Sequence, residues 1–185
     1  MNEPITETLI LPGLGGSGPD HWQSRWEKRY GYARVEQASW DAPSLDEWSA
    51  TLDERVHRAT APVVLVAHSL ACSLIAHWSA SASRLPLAAL LVAPADIDAF
   101  VATLPQVRSF APVSLRRLPF ATTVVASDDD PYVTLERAEH FARCWGSELA
   151  RIGAAGHINA ESGLDDWQHG HSLLDALRAR AQLTR

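Results

Sequence analysis

The chain has 185 residues, of which 46% are hydrophobic and 21% charged, and its formal net charge is −6. This composition is that of a globular protein and excludes a disordered chain, and the length fits a single domain over residues 1–185. The basic residues are scattered, so the basic face needed for binding nucleic acid or an anionic membrane is missing. No apolar run approaches the ~18 residues that span a bilayer. We therefore expect no nucleic-acid and no membrane partner, and protein partners stay open.

The N-terminus and the cysteines bear on the cellular location. Residues 1–4 are acidic and lack the basic flank and apolar stretch of a signal peptide. The two cysteines, Cys72 and Cys144, are too few for a disulfide framework, and both fall in helical patterns. We predict buried free thiols and a cytoplasmic location, with a redox pair as the alternative for the cysteines.

The first part of the chain alternates between short β-rich segments and helical patterns. In chain order, it predicts a strand over 6–11, a helix over 20–30, a strand over 33–37, a helix over 44–59 and a strand over 63–67. Trp22 and Trp26 are spaced to share one face of the first helix. Ser44 and Glu47 have the spacing of a capping box at the start of the second. Five consecutive apolar residues in the third strand are typical of a strand buried on both faces of a parallel sheet.

The alternation continues to the end of the chain. It predicts a helix over 70–81, strands over 87–92 and 121–126, a helix over 134–145, a strand over 148–152 and a helix over 172–182. This order favours an α/β fold, a three-layer sandwich with a mostly parallel central sheet and helices on both faces. Ligands of such sheets bind beyond the carboxyl ends of the strands, so functional residues should directly follow strands.

Ser69 lies between a predicted buried strand and a predicted helix, which is the layout of a nucleophile elbow. Ala67 and Ala71 stand where the usual G-x-S-x-G motif has glycines, and alanine is the smallest substitute for them. The alternative is a serine that simply caps an ordinary helix. His68, next to the serine, is expected to shape the turn and is a possible pocket residue.

A serine nucleophile needs a base and an acid that orients the base, in the chain order Ser, acid, His for this class of fold. Residues 128–130 are three aspartates directly after a predicted strand, and His157 follows the next strand in a glycine-flanked loop. Pro131 biases Asp130 towards an extended conformation, so we select Asp130 as the acid. The other two aspartates form a solvated turn or a helix cap. The triplet lacks the spaced ligands of a calcium loop, so we predict no metal site.

An oxyanion hole requires backbone N–H donors near the nucleophile. The amide of Leu70, directly after Ser69, is one candidate, and the amide of Gly13 or Leu14 in the loop after the first strand is the other. The spacing of the glycines in that loop matches neither the dinucleotide fingerprint nor the P-loop. We therefore predict no cofactor.

These motifs resemble the small serine hydrolases typified by YdeN and retinoblastoma-binding protein nine, a compact branch of the α/β-hydrolases. The matching segments are residues 11–16, 18–23, 66–72, 118–120, 127–132 and 156–163. The resemblance implies Ser69 as nucleophile, Asp130 as acid and His157 as base. It also implies a sheet with few strands, no large lid, and hydrolysis of small esters or related acyl compounds. His21 and Trp22 match a family position near the catalytic face and are possible pocket residues, with a packing anchor as the alternative for Trp22.

The expected reaction is two-step acyl transfer from a small-molecule ester or acyl substrate. Residues 96–113 are the expected site of a small cap, in which Phe100, Leu104 and Phe110 either line an acyl site or pack on the sheet. One alternative is a binding or scaffold protein that keeps the fold without turnover, since a fold does not imply a function. Another is an acyltransferase or thioesterase that uses the same three residues.

Overall fold

A computed structural model of the chain describes residues 6–183, and its central feature is one six-stranded sheet. The strands are β1 (Glu7–Leu11), β2 (Ala33–Arg34), β3 (Val63–His68), β4 (Ala88–Val92), β5 (Ala121–Ala126) and β6 (Glu148–Arg151). Their order in the sheet is β2-β1-β3-β4-β5-β6, and every neighbouring pair is parallel. Residues 1–4, considered above for a signal peptide, lie outside the described residues.

Helices cover both faces of this sheet. They are α1 (Trp22–Tyr30), α2 (Leu45–Arg58), α3 (Leu70–Trp78), α4 (Ile97–Phe100), α5 (Leu135–Trp145) and α6 (Gln168–Leu183), with 3₁₀ helices at Pro105–Phe110 and Ala160–Ser162. One core joins α1 and α6 to the sheet, and the other joins α2, α3 and α5 to the opposite face. The predicted three-layer α/β architecture is confirmed. Within residues 6–183, no helix has the length and apolar character that crossing a bilayer requires.

Strand β3 shows why its first five residues, Val63 to Ala67, are all apolar. All six of its residues are buried. Leu65 and Ala67 belong to one core, whereas Val64 and Val66 belong to the other. Because successive side chains of a strand point to opposite faces, a strand covered on both sides needs no polar positions. The buried strand therefore ends at His68, the residue that precedes Ser69.

Helix α6 begins at Gln168, four residues before the predicted start at 172. Gly170 lies in its first turn and is buried. The ring of Trp167 lies so close that a Cβ on Gly170 would overlap the ring carbons. The glycine is thus a packing requirement and not a helix breaker, which the sequence pattern could not distinguish.

The two cysteines differ in burial. Both are free thiols, and Cys72 is fully buried in α3, as predicted. The burial of Cys72 raises the pKa of its thiol, since the thiolate would lose its solvation. Cys144 is half-buried on α5, so the prediction of burial was wrong there. Its side chain lies 3.7 Å from the imidazole Nε2 of His140, one turn earlier on the same helix.

Candidate active site

Ser69 lies at the sharp turn between β3 and α3. Its backbone has φ 57° and ψ −121°, a left-handed conformation that a residue with a side chain adopts at a cost. The turn is fixed by a hydrogen bond from its amide to the carbonyl of Val92, 3.0 Å long. The Ser69 hydroxyl makes no capping bond to the helix. The side chain instead borders a cavity and is available to other partners.

His157 contacts both of the other residues selected from the sequence. Its Nε2 lies 2.9 Å from Ser69 Oγ, and its Nδ1 lies 2.9 Å from each carboxylate oxygen of Asp130. A carboxylate accepts, so Nδ1 carries the proton and Nε2 accepts the bond from the serine hydroxyl. The Asp130 side chain is buried, and its Oδ1 also accepts the amide of Tyr132 at 2.8 Å. The imidazole is therefore held in the orientation and tautomer in which a neutral histidine can remove a proton from a hydroxyl.

The three consecutive aspartates have separate partners. Asp128 forms an ion pair with Arg151, at 3.0 Å. Asp129 accepts hydrogen bonds from the hydroxyl of Ser127 at 2.7 Å and from the amide of Gly156 at 2.8 Å. These two bonds, the first being the larger influence, lower the pKa of Asp129. Asp129 therefore ties the loop that carries the acid to the loop that carries His157.

Two further side chains hold the loop of His157 by hydrogen bonds to its backbone. His68 Nε2 donates to the backbone carbonyl of His157, and Trp22 Nε1 donates to the carbonyl of Ile158, both at 2.8 Å. Trp22 does not line the cavity, so of its two expected roles the pocket role was wrong. Its ring is buried and packs edge-on against Trp167 in the core. The indole thus acts as a packing group with one hydrogen bond to the loop of the base.

His21 and His68 both border the cavity, and both are buried. His21 caps α1, since its Nδ1 accepts the amide of Gln23; its Nε2 has no hydrogen-bond partner within residues 6–183. Burial, and then the charges of Arg34 and His157, lowers the pKa of His21 to about 4. Burial is also the main cause that holds the pKa of His68 well below its ordinary value. Both imidazoles are therefore neutral near pH 7.

Gly13 lies directly against the turn of Ser69. A Cβ on Gly13 would lie 2.9 Å from the carbonyl oxygen of His68 and 3.0 Å from Ser69 Cβ. The first contact is closer than real side-chain carbons adopt, and the second is tighter than most of their contacts. Glycine is therefore what allows the loop after β1 to approach the turn.

The close contact between this loop and the turn of Ser69 places a few backbone amides beside the serine. The amides of Gly15 and Gly16 already donate to backbone carbonyl oxygens. The remaining donors of this stretch are the amides of Gly13 and Leu14, and both residues border the cavity. Leu70 begins α3, and the first amides of a helix have no partner within it. These three amides are the groups that can bind a developing oxyanion beside Ser69.

Gln23 was not singled out from the sequence. It is fully buried, and its Nε2 donates to the carbonyls of Leu11 at 3.2 Å and Val66 at 3.1 Å, near the ends of β1 and β3. Its Oε1 accepts a bond from the hydroxyl of Ser17. The available signal was a polar residue directly after Trp22, beside the apolar face of α1. Gln23 fixes the two strand ends from which the loops of Gly13 and Ser69 emerge.

A cavity of about 440 Å³ opens in front of Ser69. Its apolar part is formed by the predicted cap segment, and its polar part by loops after β1 and β6. The lining includes Ile97, Phe100, Leu104 and Val107 from the first and Ser17, His21, Asn159 and Glu161 from the second. Phe110 does not line it, because its ring is buried against Trp48, with 5.6 Å between ring centroids.

The cap segment is fixed to the loop of Asp130. The amide of Asp96 donates to the carbonyl of Tyr132, and the guanidinium of Arg137 donates two bonds to the Asp96 carboxylate, at 2.8 and 2.9 Å. The Tyr132 ring lies 4.6 Å from the imidazole of His157, measured between centroids. None of these three residues was assigned a role from the sequence, because each contact depends on the conformation of a loop.

Comparison with known proteins agrees with this geometry. A family model described as serine hydrolase matches residues 8–176. The structure of a YdeN-like protein from Pectobacterium atrosepticum is 31% identical over 95% of this chain and 92% of that one, with a TM-score of 0.84. The ydeN gene product of B. subtilis is 20% identical, with a TM-score of 0.77, over 95% of this chain and 100% of its own.

More distant structures share the fold. Est1E from Butyrivibrio proteoclasticus, solved with ferulic acid bound, is 14% identical over 96% of this chain and 88% of its own, with a TM-score of 0.69. At that identity the likeness concerns the fold alone. No curated protein matches the sequence.

Proposed function

Because the chain belongs to the serine hydrolase family, we propose that it hydrolyses small carboxylic esters, with Ser69 as nucleophile, His157 as base and Asp130 as the acid that orients the base. The observation that carries this proposal is the use of both imidazole nitrogens of His157. Nε2 is 2.9 Å from Ser69 Oγ while Nδ1 is 2.9 Å from Asp130. A serine that merely capped a helix would not need this arrangement.

In the first step, His157 Nε2 takes the proton of the Ser69 hydroxyl as its oxygen attacks the ester carbonyl. The Asp130 carboxylate stabilises the resulting imidazolium through Nδ1. The carbonyl oxygen becomes an oxyanion, and the amides of Leu70 and of Gly13 or Leu14 are the donors assigned to it. His157 then donates its proton to the leaving alcohol, which completes the acyl-enzyme.

In the second step, water replaces the alcohol and passes a proton to His157 as it attacks the acyl-enzyme. Return of that proton to Ser69 releases the carboxylic acid. This chemistry needs no metal and no cofactor. The apolar lining from Ile97 to Val107 favours a short hydrocarbon acyl group in a cavity of about 440 Å³.

A fluorophosphonate probe tests the proposal, since it forms a stable adduct with an activated serine. We expect labelling of the wild type, loss of labelling in Ser69→Ala, and normal labelling in Ser81→Ala, which alters an exposed serine after α3. An unlabelled wild type with a normal thermal unfolding transition would contradict the proposal and favour a scaffold protein without turnover.

Product analysis separates ester hydrolysis from the other acyl chemistries. Incubation of one acyl donor with water alone, with a thiol or with an amine should yield mainly the free acid. Predominant formation of the thioester or amide would indicate an acyltransferase. Rates on an ester and a thioester of the same acid show which of the two is preferred.

A further inference from the structure

The described lining of the cavity in front of Ser69 contains an acidic side chain but no basic one. Among the described residues that line it, Glu161 is the acidic side chain, and none is a lysine or an arginine. His21 and His68 also line it, and both are neutral near pH 7 because burial lowers their pKa. The buried Asp130 carboxylate adds a second negative charge behind His157. Both carboxylates are negative, and no lysine or arginine of the described lining offsets them.

The backbone at Glu161 is held in a defined place. Its amide donates to Asn159 Oδ1 at 3.0 Å, and Ser162 Oγ donates to the carbonyl of Ala155 at 2.6 Å. The amide of Asn159 donates to Ser162 Oγ in turn, which completes a capping box around the 3₁₀ helix. Glu161 is exposed and forms no ion pair with any residue in the described part of the chain. Its charge is thus not neutralised by a neighbouring cation.

The proposed reaction fixes which part of a substrate approaches Glu161. His157 Nε2 must reach the oxygen of the leaving alcohol to protonate it. Asn159 and Glu161 follow His157 within four residues and line the same cavity. The alcohol portion is therefore assigned to the side of the cavity that this loop forms. The acyl portion is left with the apolar residues of the cap segment, such as Leu104 and Val107.

We propose that Glu161 makes the cavity selective for esters whose alcohol portion carries a positive charge. This inference rests on the proposed function, since it uses His157 as the acid that protonates the leaving group. An amine or quaternary ammonium group on the alcohol gains a favourable interaction with the carboxylate. An anionic alcohol is repelled by it and meets no cation in the described lining.

A pair of esters of equal shape isolates the charge. Butanoylcholine and 3,3-dimethylbutyl butanoate share one acyl group and differ in the quaternary nitrogen, which is a carbon in the second ester. The measured quantity is the ratio of their kcat/KM values. We expect Glu161→Gln to lower this charged-to-neutral ratio about two- to five-fold, which lies within the range of exposed charge pairs, through the choline ester alone. Raising the salt concentration should reduce the difference between wild type and variant.

Glu136→Gln is the matched control, because Glu136 is exposed on α5 and lines no part of the cavity. Its ratio should equal that of the wild type. An unchanged ratio in Glu161→Gln, or an equal change in Glu136→Gln, would overturn the assignment. So would labelling of Ser69 by a fluorophosphonate without hydrolysis of either ester, which leaves the nucleophile in place. An unlabelled wild type would overturn the proposed function as well.

Discussion

The imidazole Nε2 of His68 donates a 2.8 Å hydrogen bond to the backbone carbonyl of His157. A carbonyl oxygen only accepts, so this bond also fixes the tautomer of His68. The bond joins the residue before the proposed nucleophile to the backbone of the proposed base. This bond therefore fixes the distance between the two loops, independently of the bond between Ser69 and His157.

Replacement of His68 tests this positioning role. In His68→Leu the carbonyl of His157 loses its donor, and we expect kcat to fall about ten-fold, equivalent to one hydrogen bond, with little change in KM. His68→Gln places an amide N–H near the position of Nε2 and should recover most of the loss. Steady-state kinetics on one p-nitrophenyl ester provide both parameters. Equal losses in the two variants would indicate a packing role instead.

Trp22 supports the same loop through Ile158. Trp22→Phe removes the indole donor and part of a buried ring, so we expect a loss of about 2 kcal/mol in the free energy of unfolding and a several-fold lower kcat. Trp48→Phe is the matched control, since Trp48 is also buried and donates to the carbonyl of Ser39 on the other side of the sheet. It should lose similar stability in urea titrations and keep its kcat. A parallel loss of kcat in both variants would contradict the assignment.

Gly13→Ala tests the close approach of the loop to Ser69. Because the added Cβ would lie 2.9 Å from the carbonyl oxygen of His68, the loop must move and carry its amides away from the oxyanion position. We expect kcat to fall by about 10²-fold, the effect of losing one oxyanion donor. Gly31→Ala is the control: its positive φ costs about 1 kcal/mol, but it lies at the end of α1, with no atom within 4 Å of the added Cβ. Near-normal kcat in Gly13→Ala would remove this loop from the mechanism.

The neutral state of His21 predicts a pH dependence of stability. Its pKa is about 4 in the folded protein, against 6.5 for an unperturbed histidine, so the unfolded chain binds more protons between these values. The free energy of unfolding should therefore fall as the pH decreases from about 6.5 to 4, by up to about 3 kcal/mol from this group. His68 acts in the same direction.

His21→Asn separates this effect from helix capping, because asparagine also caps a helix. Urea titrations at pH 7.5, 6 and 4.5 should show a weaker loss of stability at low pH in the variant than in the wild type. Identical pH profiles would mean that His21 is not the group responsible.

The central residues of the site were accessible from the sequence because strand ends place them. Ser69, Asp130 and His157 each follow a strand, and parallel strands bring their carboxyl ends to one edge of the sheet. The selection of Asp130 among three aspartates depended on one local feature, the proline after it. Periodicity and strand order were therefore sufficient for Ser69 and His157, whereas Asp130 also needed the proline.

The supporting residues were not accessible in this way. The bonds of Gln23, Arg137 and Glu161 depend on loop conformations that periodicity does not specify. Trp22 and Phe110 looked suitable for a pocket, but a large ring is equally suited to the core, and the packing of both faces of the sheet decides between the two. Gly170 shows the same limit, since the reason for a glycine there is the ring of Trp167.

The most direct test of the mechanism is the site of the acyl group during turnover. Wild-type protein incubated with p-nitrophenyl butanoate and quenched in acid should carry one butanoyl group on the peptide that contains Ser69, as measured by mass spectrometry. Ser69→Ala should carry none and should lose hydrolysis. Hydrolysis that persists in a folded Ser69→Ala variant, or an acyl group on another residue of the wild type, would contradict the account.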